Sequence, residues 1–165
     1  MKKFELTSEF VTFLGKKLFR IKALISFGNV KEGELGGFVE KEENLSDYGN
    51  AWVSGDARVF GNAWVFGNAW VFGNARVSGD ARVSGDAWVS GDADYATVQG
   101  FGSEYRATTF FRTKAGDIGV RCGCFYGTLD DFRRKVKETH GNIKIAKEYL
   151  MVADLMEFRF SKEEV

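Results

Sequence analysis

The chain has 165 residues, room for one or two small domains, and its 23 basic residues cancel against 23 acidic ones. That balance excludes both a strongly basic grip on duplex nucleic acid and an acidic mimic of DNA. The opening MKKFELTSEF lacks the apolar run of a secretory signal and no stretch approaches a membrane span, so neither a membrane nor a nucleic-acid duplex is an expected partner. Cys122 and Cys124, with no disulfide framework around them, point to a reducing, cytoplasmic compartment. The 16 Phe, 5 Tyr and 4 Trp are many for this length and need somewhere to pack.

Residues 1–48 read as an N-terminal hairpin and coil cap. Phe10 to Phe13 and Leu18 to Ile25 predict a β-hairpin turning at Leu14-Gly15-Lys16-Lys17. Gly33-Glu34-Leu35-Gly36-Gly37-Phe38-Val39 is a glycine-rich approach to the first coil. Glu43-Asn44-Leu45-Ser46-Asp47-Tyr48 fits the six-residue frame of the adjoining segment as an atypical end repeat, with Leu45 at the Ala position.

From Gly49 to Ala96 one unit recurs eight times without interruption: GNAWVS, GDARVF, GNAWVF, GNAWVF, GNARVS, GDARVS, GDAWVS, GDADYA. A short fixed period decides architecture, because each unit buries its apolar side only against the next. The Gly–Asn/Asp pair is turn chemistry. The residues after it alternate as a strand does: Ala in, Trp or Arg out, Val in, Ser or Phe out. Residues 49–97 therefore form one repeat domain of short strands and corners.

Residues 98–165 read as an α+β module for oligomerisation and recognition. Arg106 to Thr113 and Ile118 to Cys124 predict a strand pair joined by Lys114-Ala115-Gly116-Asp117. Both thiols lie on one face of the second strand and read as buried. Thr128 opens a helix with Asp131 as a capping-box partner and Leu129, Phe132 and Val136 on one face; Gly141 ends it. Asn142 is expected to cap a second helix, Ile143 to Phe158. Its stripe of Ala146, Tyr149, Ala153 and Met156 is widened by Ile145, Val152 and Leu155.

Over residues 49–96 the repeat resembles the hexapeptide family that folds as a left-handed parallel β-helix. It departs from that family in carrying Ser or Phe after Val. The resemblance implies a triangular prism with three hexads per turn, so that residues eighteen apart stack. The expected fold is mainly β: a left-handed parallel β-helix of about three coils, an N-terminal β-hairpin, and a C-terminal α+β module with two helices. Stacking puts Trp52, Trp70 and Trp88 in an outer ladder with Phe72 beside it. Arg58 and Arg76 share the second face with Phe60; Trp64, Phe66 and Arg82 share the third.

Each Trp buries about 150–250 Å², so a bare ladder exceeds the roughly 300–600 Å² patch that monomers tolerate. Trimers are common among proteins resembling this family. Subunit packing is the leading expectation, ahead of cover by the chain's own terminal segments or by a ligand or foreign protein, and the expected oligomer interface is Trp52, Trp70, Phe72 and Trp88, with Tyr149 and Met156 from the tail.

Hexapeptide acyltransferases and carbonic anhydrases lean on histidines set on or beside the coils. The eight hexads contain no His and no inserted loop, and the chain's single His is His140. Cys122, Cys124 and His140 are one ligand short of a closed zinc site. Gly100-Phe101-Gly102 meets Tyr105 where a dinucleotide fingerprint needs its third glycine. No catalytic residue, metal or cofactor is assigned.

The tail motif Gly123-Cys124-Phe125-Tyr126-Gly127-Thr128, with Thr139-His140-Gly141, resembles a terminal module that follows hexapeptide coils in phage and prophage proteins. That resemblance implies a viral origin and no particular reaction. Ser103, Tyr105, Arg106, Thr108 and Arg112 cluster around a strand start, and Gly127 and Thr128 open a helix whose free N–H groups favour an anion. Aromatics such as Phe101, Tyr105 and Phe125 supply faces for a base. These residues suggest a non-catalytic oligomeric binding protein that counters host defence, in the host cytoplasm, by sequestering a nucleotide-like signal. The alternatives are an inhibitor that binds a host defence protein, an acyltransferase using His140, and a virion or assembly component.

Overall fold

The computed structural model describes residues 2–161. Strands β1 (Phe4–Phe13) and β2 (Lys16–Ala23) form an antiparallel hairpin. Its turn is Leu14-Gly15, both at positive φ (52° and 76°), the two-residue geometry whose twist matches that of the flanking strands. The turn is tighter than the sequence suggests and the first strand begins at Phe4. Strand β3 (Leu35–Val39) pairs antiparallel with β2.

The repeats come next as two-residue strands: β4 (Trp52–Val53), β5 (Arg58–Val59), β6 (Trp64–Val65), β7 (Trp70–Val71), β8 (Arg76–Val77), β9 (Arg82–Val83) and β10 (Trp88–Val89). They pair in parallel with the expected spacing of eighteen: Trp52 on Trp70 on Trp88, Arg58 on Arg76, and Trp64 on Arg82. The lead-in extends two of these ladders, with Phe38 on Arg58 and Leu45 on Val65. Leu45 thus stands at a Val position and not at an Ala position. Two residues more than the regular period separate it from its partner, which shifts the frame.

The eighth hexad leaves the stack. Asp94 replaces the usual Trp or Arg, and its carboxylate accepts from the Ser90 main-chain N–H (2.9 Å) and hydroxyl (2.7 Å). A 3-10 turn forms over Asp92–Asp94, and β11 (Tyr95–Val98) departs into a second sheet. The Ala and Val side chains from Ala51 to Val89 make a continuous buried column. Phe4, Ile21, Val30 and Leu45 belong to this core from the N-terminal side and Phe111 from the C-terminal side. The corners need glycine: at Gly49 (φ 71°) an added Cβ would lie 2.5 Å from the Gly67 carbonyl oxygen.

The stack has a polarity. The ladder N–H groups donate one turn onward, as in Trp52 to Ala69 (3.0 Å), Arg58 to Ala75 (2.9 Å) and Trp70 to Ala87 (2.9 Å), while Ala N–H groups close the corners, as in Ala57 to Ser54 (3.2 Å). The first row is therefore left with bare carbonyls and the last row with bare N–H groups, and buried backbone groups must be paired. Donors close the first end. The Phe38 N–H reaches the Ala57 carbonyl (2.9 Å), Lys3 Nζ reaches that of Ala51 (2.7 Å), and Asn44 Nδ2 reaches those of Ala63 (2.8 Å) and Gly61 (3.2 Å). Acceptors close the other. Asp92 takes the Arg76 N–H (2.8 Å), Thr109 that of Arg82 (2.9 Å), Asp94 that of Ser90, and Tyr126 that of Asp86 (3.3 Å).

Lys3 is fully buried in this role, and burial lowers its pKa from 10.5 to about 8, against a weaker opposing effect of Asp47. Between those two values the unfolded chain binds the extra proton, so folding stability should rise with pH across that window. Chemical denaturation of the wild type at pH 7.5 and pH 10 should show this gain, set against Lys3→Met, which should lack it.

The C-terminal sheet is an antiparallel meander of β11, β12 (Thr108–Arg112), β13 (Ile118–Cys122) and β14 (Phe125–Thr128). The sequence shows only its middle pair. Strand β12 joins the two cores: Phe111 lies in the repeat core, while Phe110 packs with the helices. Helix α1 (Leu129–His140) starts at the Thr128–Asp131 capping box and stops at Gly141 (φ 62°), as expected. Helix α2 (Lys144–Arg159) has Ile143 at its N-cap with no side-chain cap, so Asn142 does not serve there.

The α2 stripe of Ala146, Tyr149, Val152, Ala153 and Met156 is buried, whereas Leu155 is exposed. Cys122 ends β13 half-buried, and Cys124 lies exposed in the turn after Gly123. The two thiols therefore neither share a strand face nor lie buried together. Among the described residues, no helix is long and apolar enough to cross a membrane, and no group of three or more His, Cys, Asp and Glu could hold a metal ion.

Candidate functional site

The loop after β11 crosses over α2, and the space between that loop, the end of β13 and the C-terminal half of α1 is a cleft of about 270 Å³. Its wall is aromatic. Phe132 meets Tyr149 edge-on at 5.5 Å and Phe125 at 6.0 Å, while His140 stacks on Tyr149 at 6.2 Å. Tyr149 belongs to the buried stripe of α2, which aims it at the sheet. Its hydroxyl donates to the Phe101 carbonyl (3.2 Å) and lies 4.0 Å from the Cys122 sulfur, to which the Thr108 hydroxyl donates at 3.2 Å. Burial, reinforced by Cys122, pushes the Tyr149 pKa up to about 12. Gly102 lets the loop pass this close: at φ 81°, a Cβ there would fall 2.2 Å from the Tyr149 hydroxyl.

The rim is cationic. Arg106 from the loop and Lys135 from α1 line it, with Glu104 as the one carboxylate. Glu104 pairs with Arg106, and Lys135 makes no ion pair among the described residues.

Of the residues singled out from the sequence, Ser103, Arg106 and Phe125 come together here. Thr108 is buried behind Cys122, and Phe101 contributes its carbonyl. Tyr105 is exposed, has a positive φ of 54°, and does not line the cleft. Arg112 lies at the far end of β12, where its guanidinium donates to Asp94 (3.0 Å) and to the Phe160 carbonyl (3.1 Å). Gly127 and Thr128 face a different depression.

The start of α1 is disfavoured for an anion by its own carboxylates. The Asp131 carboxylate already accepts the Thr128 N–H (3.1 Å), and Asp130 adds a second negative charge. Sequence reasoning missed Lys135 and Thr139, and weighed His140 alone. The available signal was their spacing, one helical turn apart on the border of the Leu129–Phe132–Val136 face.

The expected subunit surface is only partly at the surface. Trp52 is fully buried by the chain's own lead-in, 5.3 Å edge-on from Phe27. Gly36 passes so close that a Cβ would lie 2.7 Å from the indole. Tyr149 and Met156 are interior to the C-terminal module. Trp70, Phe72 and Trp88 remain accessible: the two indoles stack at 6.0 Å, Phe72 abuts Trp88 at 4.9 Å, and Lys114 lies over the Trp88 ring at 5.4 Å.

A family model described as the YdcK β-solenoid repeat matches residues 51–67 and 75–91. The repeat region is a β-solenoid. No curated protein matches the chain. The cleft is built entirely outside the solenoid residues that match.

Proposed function

We propose that this chain is a non-catalytic, homo-oligomeric binding protein whose C-terminal cleft takes a small nucleotide-like anion. The observation that carries this reading is the meeting of Arg106, Lys135 and His140 with the rings of Phe125, Phe132 and Tyr149 in one cleft. Guanidinium and ammonium groups suit phosphate, and an aromatic face stacks a base for about 1–3 kcal/mol. No nucleophile is assigned. Tyr149 is protonated at neutral pH, burial raising its pKa further still, and Cys122 is tied to Thr108.

In this reading the solenoid winds left-handed through about three coils and serves as a rigid stem. The favoured assembly is a trimer, with Trp70, Phe72 and Trp88 on its contact face. The likeness of the tail to phage and prophage proteins supports a role in the host cytoplasm, where removing a signalling nucleotide counters host defence.

The test uses the full chain in native mass spectrometry and thermal denaturation against cyclic nucleotides and ADP-ribose-type compounds. One of them should be retained and should raise the melting temperature by several degrees. Lys135→Glu should weaken its binding at least about tenfold while leaving the ligand-free melting temperature in place. No retained mass and no shift across the panel would overturn the proposal.

A second reading, an inhibitor of a host protein, draws on α2. Met151, Leu155 and Phe158 fall on one face of that helix and are 70%, 57% and 66% exposed. Binding to a host defence protein that survives Lys135→Glu but is lost in Leu155→Glu would favour it.

A further inference from the structure

The solenoid carries a second cleft, about 620 Å³ and lined by three arginines, that shares no residue with the first. Arg58 of β5 and Arg76 of β8 are direct ladder partners, so their side chains leave strands about 4.8 Å apart. Like charges set directly opposite in a sheet repel. Here both guanidinium groups are held over one ring, that of Phe13, at 4.8 Å and 5.3 Å. Phe13 stands near the tip of the N-terminal hairpin and is braced edge-on by Phe60 at 5.5 Å. The hairpin is fixed in turn by Leu18, which packs with Phe38 and Phe60.

The ion pairing around this pair is incomplete. Arg20 is already satisfied, pairing with Glu9 and donating to the Gly36 carbonyl (2.7 Å). Arg76 has Asp92 at 3.7 Å. Arg58 has no carboxylate within ion-pair distance among the described residues, although Asp56 lines the same cleft. A pair of guanidinium groups aligned by a shared ring, one of them without an ion-pair partner, is a cradle for an oxyanion that bridges both forks.

We infer that Arg58 and Arg76, aligned by Phe13, bind a phosphate ester or polyphosphate on the outer face of the solenoid. Guanidinium forks recognise such groups by paired, charge-assisted hydrogen bonds. This site is independent of the C-terminal cleft.

The experiment titrates the full-length protein with inorganic pyrophosphate and, in a separate arm, with phosphatidylcholine vesicles containing a phosphatidylinositol phosphate. The two arms distinguish a free phosphate from a lipid headgroup. Binding is expected in at least one, weakening as salt rises. The Arg58→Gln/Arg76→Gln double variant should lose at least about tenfold in affinity. Arg58→Lys keeps the charge without the fork and should lose several-fold, and Lys137→Glu, a charge change at an exposed position lining neither cleft, should bind as the wild type does. Absence of binding in both arms, or equal binding by the double variant in a form that melts as the wild type does, would overturn the inference. Loss of binding in Lys135→Glu alone would move the anion to the C-terminal cleft and overturn it equally.

Discussion

Asn44→Leu is expected to lower the unfolding free energy by about 3–5 kcal/mol, far more than its place in a short lead-in suggests. The side chain is fully buried and uses both ends of its amide. Nδ2 donates to the Ala63 and Gly61 carbonyls, and Oδ1 accepts the Lys41 N–H at 2.9 Å. Leucine has nearly the same shape and supplies none of these bonds, leaving three main-chain groups without partners at about 1–3 kcal/mol for each that stays dry. Asn44→Asp keeps the acceptor but points a second oxygen at two carbonyls, and should also destabilise. Urea denaturation followed by circular dichroism measures both. A loss below about 1 kcal/mol for the leucine variant would mean that this end of the solenoid is closed in some other way.

Trp52→Ala should cost a further large amount, about 3–5 kcal/mol, while Trp88→Ala in the same ladder should cost much less. The three hexads are nearly identical in sequence, yet Trp52 is wholly enclosed and Trp88 is 37% exposed. The cavity left by Trp52 would open between Phe27, Gly36 and the column of Ala and Val. At position 88 the vacated space is partly solvent, so less packing is lost. Trp52→Phe should be far milder, because the buried indole N–H has no hydrogen-bond partner to lose. Melting temperatures of the three alanine variants should fall in the order Trp52 lowest, Trp70 intermediate and Trp88 nearest the wild type. Equal losses at 52 and 88 would contradict the enclosure by the lead-in.

The ladders were legible because every hexad repeats one local instruction: a glycine corner, an inward Ala, an inward Val. Register is then a consequence of period alone, and Trp52, Trp70 and Trp88 align as expected. The ends were not legible, because what they need is set by the stack and not by their own residues. Lys3 and Asn44 look like surface polar residues until the bare carbonyls above them are known.

The same logic divides the candidate site. Ser103, Arg106 and Phe125 were readable as a polar and aromatic cluster near a strand. Lys135 and His140 join them only because α1 packs across the sheet through Phe132 and Val136. Thr128 lies apart from that cluster, and its capping box with Asp131 occupies two of the N–H groups at the start of α1. Tyr149 and Met156 turn out to face the chain's own sheet; an apolar stripe does not reveal whether its partner is another subunit or the same chain.

The opposite chemistry of the two ends also bears on how such a fold can grow. One end of the stack is sealed by an ammonium and an amide, the other by carboxylates and hydroxyls, so these end groups are already paired within the chain and do not offer a bare ladder edge for end-to-end growth. Within the stack, in contrast, every row presents the same backbone to its neighbours. Eighteen residues inserted between Ser78 and Gly79 would leave both seals untouched and move them apart by about one strand spacing, roughly 4.8 Å, so reach can be adjusted in fixed increments without redesigning either end.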